Sequence, residues 1–101
     1  MITLENKKTL HKVLDKFKME ISSAQDVIDD RFGYNCMNLC FAYLNYLNDF
    51  FRNFKHNVND HEYLNIIDIL RMEDVVVEPH GDFNEQKNQL LSYIQKTKDQ
   101  L

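Results

Sequence analysis

The sequence predicts an all-α protein, an antiparallel bundle of four to five helices around one central, very apolar helix. Apolar residues make up 44% of the 101 residues, enough for one core in a single domain, residues 1–101. Only two glycines and one proline interrupt the chain, so its regular segments should be long. Apolar residues also recur at the spacings of three and four that are typical of helices.

Residues 3–33 are predicted to form one bent helix, or two nearly collinear ones. Seven apolar residues repeat there at helical spacing: Leu10, Leu14, Phe17, Ile21, Ala24, Ile28 and Phe32. Thr3 fits the N-cap, and Gly33 fits a left-handed residue after the C-terminus. Ser22 and Ser23 could divide the segment, although the apolar stripe continues through them in phase.

Residues 35–56 form the most apolar predicted helix, which carries two neighbouring stripes. The first stripe consists of Met37, Cys40, Leu44, Leu47, Phe51 and Phe54, and the second of Cys36, Leu39, Tyr43, Tyr46 and Phe50. A helix that is apolar around most of its circumference usually has neighbours on two or three sides. This helix is therefore expected at the centre of the core.

Two further helices follow, each opened by a capping box. Asn59 and Glu62 open the first, and Asp82 and Glu85 open the last, which spans residues 83 to about 99. Between them, the β-branched residues 75–77 should form a tucked, extended loop, because no other segment offers a partner strand. Pro79 prevents the helix from continuing.

The chain offers no constellation typical of catalysis or metal binding. Cys36 and Cys40 are predicted to be free, packed thiols, and together with His56 and His61 they match no common zinc spacing. The nearest glycine to the cysteines is Gly33, so no oxyanion turn is evident, and no glycine-rich phosphate loop is present. We therefore predict no catalytic residue, no metal ligand, no cofactor and no enzymatic activity.

Acidic charge is concentrated in one quarter of the chain. The net charge is −4, which opposes direct nucleic-acid binding. Segment 59–82 carries one basic residue, Arg71, against seven acidic ones: Asp60, Glu62, Asp68, Glu73, Asp74, Glu78 and Asp82. Acid gathered on one face speeds encounter with a basic protein. The alternative is a solvated face in which Glu62 and Asp82 serve as caps.

No run of about 18 apolar residues suggests a membrane span, and no apolar segment follows the N-terminal lysines. A cytoplasmic protein without membrane contact is therefore expected.

In size, helical build and its acid-rich segment, the chain resembles the small acidic immunity proteins that neutralise nuclease toxins. These belong to contact-dependent growth inhibition and tRNase-colicin systems. The resemblance implies a monomer in a one-to-one complex with a cognate basic nuclease toxin domain, an RNase or tRNase, whose active site it occludes. The carboxylates of segment 59–82 would pair with basic groups of the toxin, with Tyr63, Met72 or residues 75–77 as apolar anchors. The modest net charge leaves steric blocking open.

Two alternatives belong to other classes of protein. A phage-type inhibitor of a defence nuclease would use the same electrostatic complementarity. A structural or regulatory helical subunit would instead dock through the stripe of the first helix and self-associate.

Overall fold

The computed structural model describes residues 2–28, 31, 33–55 and 58–101. In these ranges the chain forms four α-helices: α1 (Leu4–Ser23), α2 (Met37–Phe54), α3 (Asp60–Leu70) and α4 (Phe83–Asp99). A single 3₁₀ turn, Met72–Asp74, follows α3. The described part contains no β-strand, so the predicted all-α class is confirmed. The antiparallel arrangement of the helices stays a prediction.

Three of the helices begin at the N-caps that the sequence predicts. The Thr3 hydroxyl accepts from the Asn6 amide at 3.2 Å, and the Asn59 side-chain Oδ1 accepts from the Glu62 amide at 2.9 Å. The Asp82 carboxylate accepts from the Glu85 amide at 2.8 Å. Each cap satisfies one of the backbone N–H groups that a helix leaves unpaired in its first turn.

The prediction that the first helix extends to residue 33 is wrong. Helix α1 ends at Ser23, residues 24–28 are not helical, and the Val27 and Ile28 side chains are exposed. The Ser23 hydroxyl donates to the Met19 carbonyl at 2.8 Å, and Lys87 of α4 donates to the carbonyls of Ser22 and Ala24 at 3.1 Å each. The Lys87 contacts stabilise the helix end because they pair carbonyls that have no intrahelical partner.

Several predicted features of the first two helices lie outside the described residues. They are Phe32 of the apolar stripe and His56 at the end of the second predicted helix. That helix, expected over residues 35–56, spans Met37–Phe54.

The core forms where α1 packs against both α2 and α4. The stripe of α1 supplies Leu10, Leu14, Phe17 and Ile21, all at most 1% exposed. The Phe17 ring stacks on Tyr46 of α2, with ring centroids 4.3 Å apart. The stripe that a self-associating subunit would use for docking is therefore buried inside the molecule.

Among the described helices, none combines the length and apolar character that a bilayer span requires.

The two stripes of α2 have different surroundings. Four residues of the second stripe are buried, namely Cys36, Leu39, Tyr46 and Phe50. The first stripe is less buried: Leu44 is 52% and Phe51 43% exposed, Phe54 is buried, and the other three residues are partly buried. Within the described chain α2 is thus covered on one side, and its central position stays a prediction.

Candidate functional site

A groove separates α4 from the segment of residues 72–82. It consists of three adjoining cavities of about 540, 370 and 220 Å³, and Gln89 of α4 lines all three. The largest cavity lies beside Tyr93 and Lys96, and the smallest lies at the beginning of α4. We refer to these three cavities together as the α4 groove.

The α4 groove is lined by four carboxylates and one cationic side chain. The carboxylates are those of Asp74, Glu78, Asp82 and Glu85, and the cation is Lys96. All five residues are exposed. Because a concave surface of low polarisability focuses the field of its charges, the groove attracts cationic groups more strongly than a flat surface would.

Two of the four carboxylates also have partners within the chain. Asp74 pairs with the Arg71 guanidinium at 2.9 Å, on the surface, and Asp82 caps α4. Within the described ranges, Glu85 accepts one long hydrogen bond, 3.5 Å from the Gln89 amide. Among the described residues, no hydrogen bond or ion pair involves the Glu78 carboxylate. Glu78 and Glu85 are therefore the carboxylates best able to bind a partner.

The backbone on which Glu78 lies is fixed by Gln86 of α4. The Gln86 side-chain carbonyl accepts from the Glu78 amide at 2.7 Å, and its NH₂ group donates to the Glu78 carbonyl at 3.0 Å. Gln86 is 8% exposed, so these bonds form largely out of water.

The residues before α2 hold the same turn from its other side. The Cys36 amide donates to the Pro79 carbonyl at 3.0 Å, and the Asn35 side chain donates to the Gly81 carbonyl at 2.6 Å. The Cys36 thiol also donates to the Gly81 carbonyl at 3.2 Å and accepts from the Gln86 NH₂ group at 3.1 Å. The turn that carries Glu78 and Asp82 is thus ordered before any partner arrives, which lowers the entropic cost of binding.

The two cysteines are free thiols, as predicted. Burial raises the pKa of Cys36, and the neighbouring Cys40 raises it further. Burial also raises the pKa of Cys40. Because the thiolate is the nucleophilic form, both side chains are poor nucleophiles. In the part of the chain that the structure describes, no cluster of His, Cys, Asp and Glu is arranged to hold a metal ion.

The predicted partner-binding residues fall into three groups in the structure. Asp74, Glu78 and Asp82 line the α4 groove. Asp60, Asp68 and Glu73 are exposed but do not line it. The third group, described next, has contacts inside the molecule.

Glu62, Tyr63 and Met72 are partly buried, and each has an internal role. The Glu62 carboxylate accepts from the Asn6 side chain at 2.6 Å, which ties α3 to the beginning of α1. The Tyr63 ring packs against Phe50 with centroids 5.9 Å apart, and Met72 packs against the core. Of the predicted apolar anchors, Val76 is the exposed one, at 66%. The use of Glu62, Tyr63 and Met72 by a partner stays a prediction.

Sequence reasoning missed the contribution of α4 to the groove. Five residues of this helix line the largest cavity: Glu85, Gln89, Ser92, Tyr93 and Lys96. The helix as a whole carries almost no net charge, so composition did not indicate it. The available signal was the spacing of Asp82 and Glu85, which places two carboxylates in the first turn of one helix.

Comparisons of the chain with family models, characterised proteins and solved structures found no match. The α4 groove presents carboxylates, side-chain amides and the exposed apolar side chain of Val76. Carboxylates accept charge-assisted hydrogen bonds from Lys and Arg, and an exposed valine offers an apolar contact. This combination suits a basic protein surface.

Proposed function

We propose that this protein is a cytoplasmic inhibitor of the immunity type, which binds a cognate basic nuclease toxin domain and occludes its active site. The observation that supports the proposal is the α4 groove, which is lined by four carboxylates and one lysine. Two of these carboxylates lie on a preorganised turn. An RNase or tRNase is the expected class of toxin, because such enzymes bind nucleic-acid phosphate through basic clefts.

In the proposed complex, carboxylates of the groove take the place of substrate phosphate. Glu78 and Glu85 would accept hydrogen bonds from Lys, Arg or a protonated catalytic His of the toxin. Such charge pairs mainly speed association and fix orientation, whereas well-packed apolar contacts supply most of the affinity. Val76, between the two smaller cavities, is positioned to be such a contact. An inhibitor of this kind needs no catalytic group and no cofactor of its own.

The proposal is tested by reversing charge in the groove while keeping Asp82, whose side chain caps α4. The groove variant combines Glu78→Lys with Glu85→Lys and changes the net charge by +4. The control combines Glu5→Lys with Asp26→Lys, which makes the same change at exposed acidic residues outside the groove. The tagged protein is expressed in its native cell, the captured partner is identified by mass spectrometry, and its Kd is measured for each variant. We expect a nuclease domain whose Kd rises about tenfold or more with the groove variant.

The control variant should change that Kd by no more than about threefold, and salt should weaken the wild-type complex. Equal losses for both variants would mean that overall charge, not the groove, attracts the partner. Capture of no nuclease would contradict the proposed function itself. An inhibitor of a defence nuclease would give the same binding result, and a neighbouring gene for a secreted toxin would distinguish the immunity protein from it.

A further inference from the structure

A separate cavity, lined by cationic side chains, lies between α1 and α2. Its volume is about 240 Å³. Besides Val13, three residues of each helix line it: Thr9, Lys12 and Lys16 of α1, and Asp49, Arg52 and Asn53 of α2. Because residues three and four positions apart share a face of a helix, each set projects from one face of its helix. We refer to this space as the α1–α2 cavity.

The Asp49 carboxylate holds two of the three cations in place. Its Oδ2 atom accepts from the Lys16 ammonium at 2.8 Å, and its Oδ1 atom accepts from the Arg52 guanidinium. Asp49 is 7% exposed, and a carboxylate so deeply buried requires charged partners. Each cation keeps further N–H donors for a second acceptor. Lys16 and Arg52 are therefore oriented before a ligand arrives, which lowers the entropic cost of binding one.

Lys12 is the third cation, and it lies one helical turn before Lys16. In the part of the chain that the structure describes, its ammonium group forms no ion pair and no hydrogen bond. Three cations and one carboxylate leave a charge of +2 at the cavity, although the whole chain carries −4. Because like charges held close together repel each other, an anion placed among them is favoured.

We propose that the α1–α2 cavity binds a dianionic phosphate group, either free phosphate or the phosphate of a monoester. Such a group carries three terminal oxygens and close to two negative charges at neutral pH. It therefore matches both the number of cations and their excess charge. Arginine and lysine both bind phosphate through charge-assisted hydrogen bonds.

The size of the cavity also suits this ligand. A tetrahedral phosphate needs the volume of roughly three water molecules, about 90 Å³, so the cavity has room for the neighbouring atoms of an ester. A phosphodiester or a carboxylate carries only one negative charge and has two free oxygens. Neither would balance the charge of the cavity, so nucleic-acid backbone and acidic side chains are poorer matches.

The proposal is tested by titrating the purified full chain with methyl phosphate at low ionic strength and following its backbone amide signals by NMR. Signals of residues 9–16 and 49–53 should shift and saturate, with a Kd of about 1–10 mM for so open a site. Free phosphate should produce the same pattern of shifts, and the tighter of the two dianions identifies the source. Dimethyl phosphate and acetate should bind about fivefold more weakly or less, because each carries a single charge.

Two lysine variants distinguish the cavity from the general charge of α1. Lys12→Gln removes one cation without touching the Asp49 ion pairs and should raise the Kd of methyl phosphate about threefold to tenfold. The matched control is Lys18→Gln, which removes the same charge from an exposed lysine of α1 outside the cavity. It should change the Kd by about twofold at most. Circular dichroism establishes that both variants fold.

Three results would overturn the proposal. They are the absence of saturable shifts up to roughly 50 mM methyl phosphate, equal effects of the two lysine variants, and binding of dimethyl phosphate or acetate as tightly as methyl phosphate. Since the α1–α2 cavity shares no lining residue with the α4 groove, failure of this test leaves the proposed function standing, and the reverse also holds.

Discussion

Gly81 makes the tightest contact in the turn that carries Glu78 and Asp82. A Cβ atom built on Gly81 would lie 1.9 Å from the side-chain nitrogen of Gln86 and 2.8 Å from its amide carbon. Real Cβ atoms do not approach other atoms so closely, so any side chain here displaces the Gln86 amide. The absence of a side chain at position 81 therefore lets the Gln86 amide pack closely against the turn.

Gly81→Ala is expected to lower the free energy of unfolding by about 1–3 kcal/mol, because a displaced Gln86 leaves the Glu78 amide and carbonyl unpaired. Urea denaturation measures the change. The control is the same substitution in a Gln86→Ala background, where the clash is absent and the further loss should be below about 1 kcal/mol. Equal losses in the two backgrounds would show that the Gln86 contact is not the cause.

Gly33 shows a different requirement for glycine. Its φ of +69° lies in the left-handed region, and nothing lies within 4 Å of a Cβ built there. The backbone conformation, rather than a contact, favours glycine at this position. The sequence correctly predicted a left-handed residue, but α1 ends ten residues earlier.

At the scale of whole elements, the C-terminal end of α1 is stabilised by a side chain of α4. Lys87 of α4 donates to the carbonyls of Ser22 and Ala24, and its ammonium also lies 5.7 Å from the centre of the Phe83 ring. Lys87 is therefore a C-cap supplied by a residue 65 positions away.

Replacing Lys87 by Met removes this cap but keeps much of the apolar stem. We expect a loss of about 1 kcal/mol in the free energy of unfolding, measured by urea denaturation. Lys96→Met is the control, since Lys96 is exposed on the same helix and should change stability by less than about 0.5 kcal/mol. Protection of the Ser22–Ala24 region in hydrogen exchange should fall only in the Lys87 variant. Unchanged protection there would contradict the capping role.

Helix starts were predictable from the sequence because N-caps act within three residues. Thr3, Asn59 and Asp82 each bond an amide three positions on. The end of α1 at Ser23 was named only as an alternative, a division at Ser22 and Ser23, since the apolar period continues past Ser23 and the residue that caps it lies on α4.

The two stripes of α2 were equally apolar, so periodicity could not tell which one faces the core. The α4 groove illustrates the same limit. Composition located the acid in segment 59–82, but only the fold shows that Glu85 joins it and that Glu62 is used internally.

In the molecule as a whole, one pair of tyrosines connects three helices. The Tyr93 hydroxyl of α4 donates to the Leu70 carbonyl at the end of α3, and the Tyr46 hydroxyl of α2 lies 3.2 Å from that of Tyr93. Because the Tyr93 proton is used on Leu70, Tyr46 is the donor in the second bond. Tyr93 also lines the α4 groove, so the groove and the core share this side chain.

The same pair makes the folded state sensitive to alkali. Burial raises the pKa of Tyr93 from 10.0 to about 12, and burial together with Tyr93 raises the pKa of Tyr46 still further. Between pH 10 and 12 the unfolded chain therefore releases tyrosine protons that the folded chain keeps. Since the unfolded state then binds fewer protons, stability must fall as the pH rises, while below pH 10 the contribution is fully present.

We expect the free energy of unfolding to fall by roughly 1–3 kcal/mol across this window through these tyrosines, as measured by urea midpoints at a series of pH values. Phenolate absorbance should show Tyr46 and Tyr93 ionising only as the protein unfolds. Tyr93→Phe should be less stable than the wild type at neutral pH, because the Leu70 carbonyl loses its donor, and its stability should fall less steeply above pH 10. Equal slopes for the two proteins would mean that groups other than Tyr93 cause the alkaline loss.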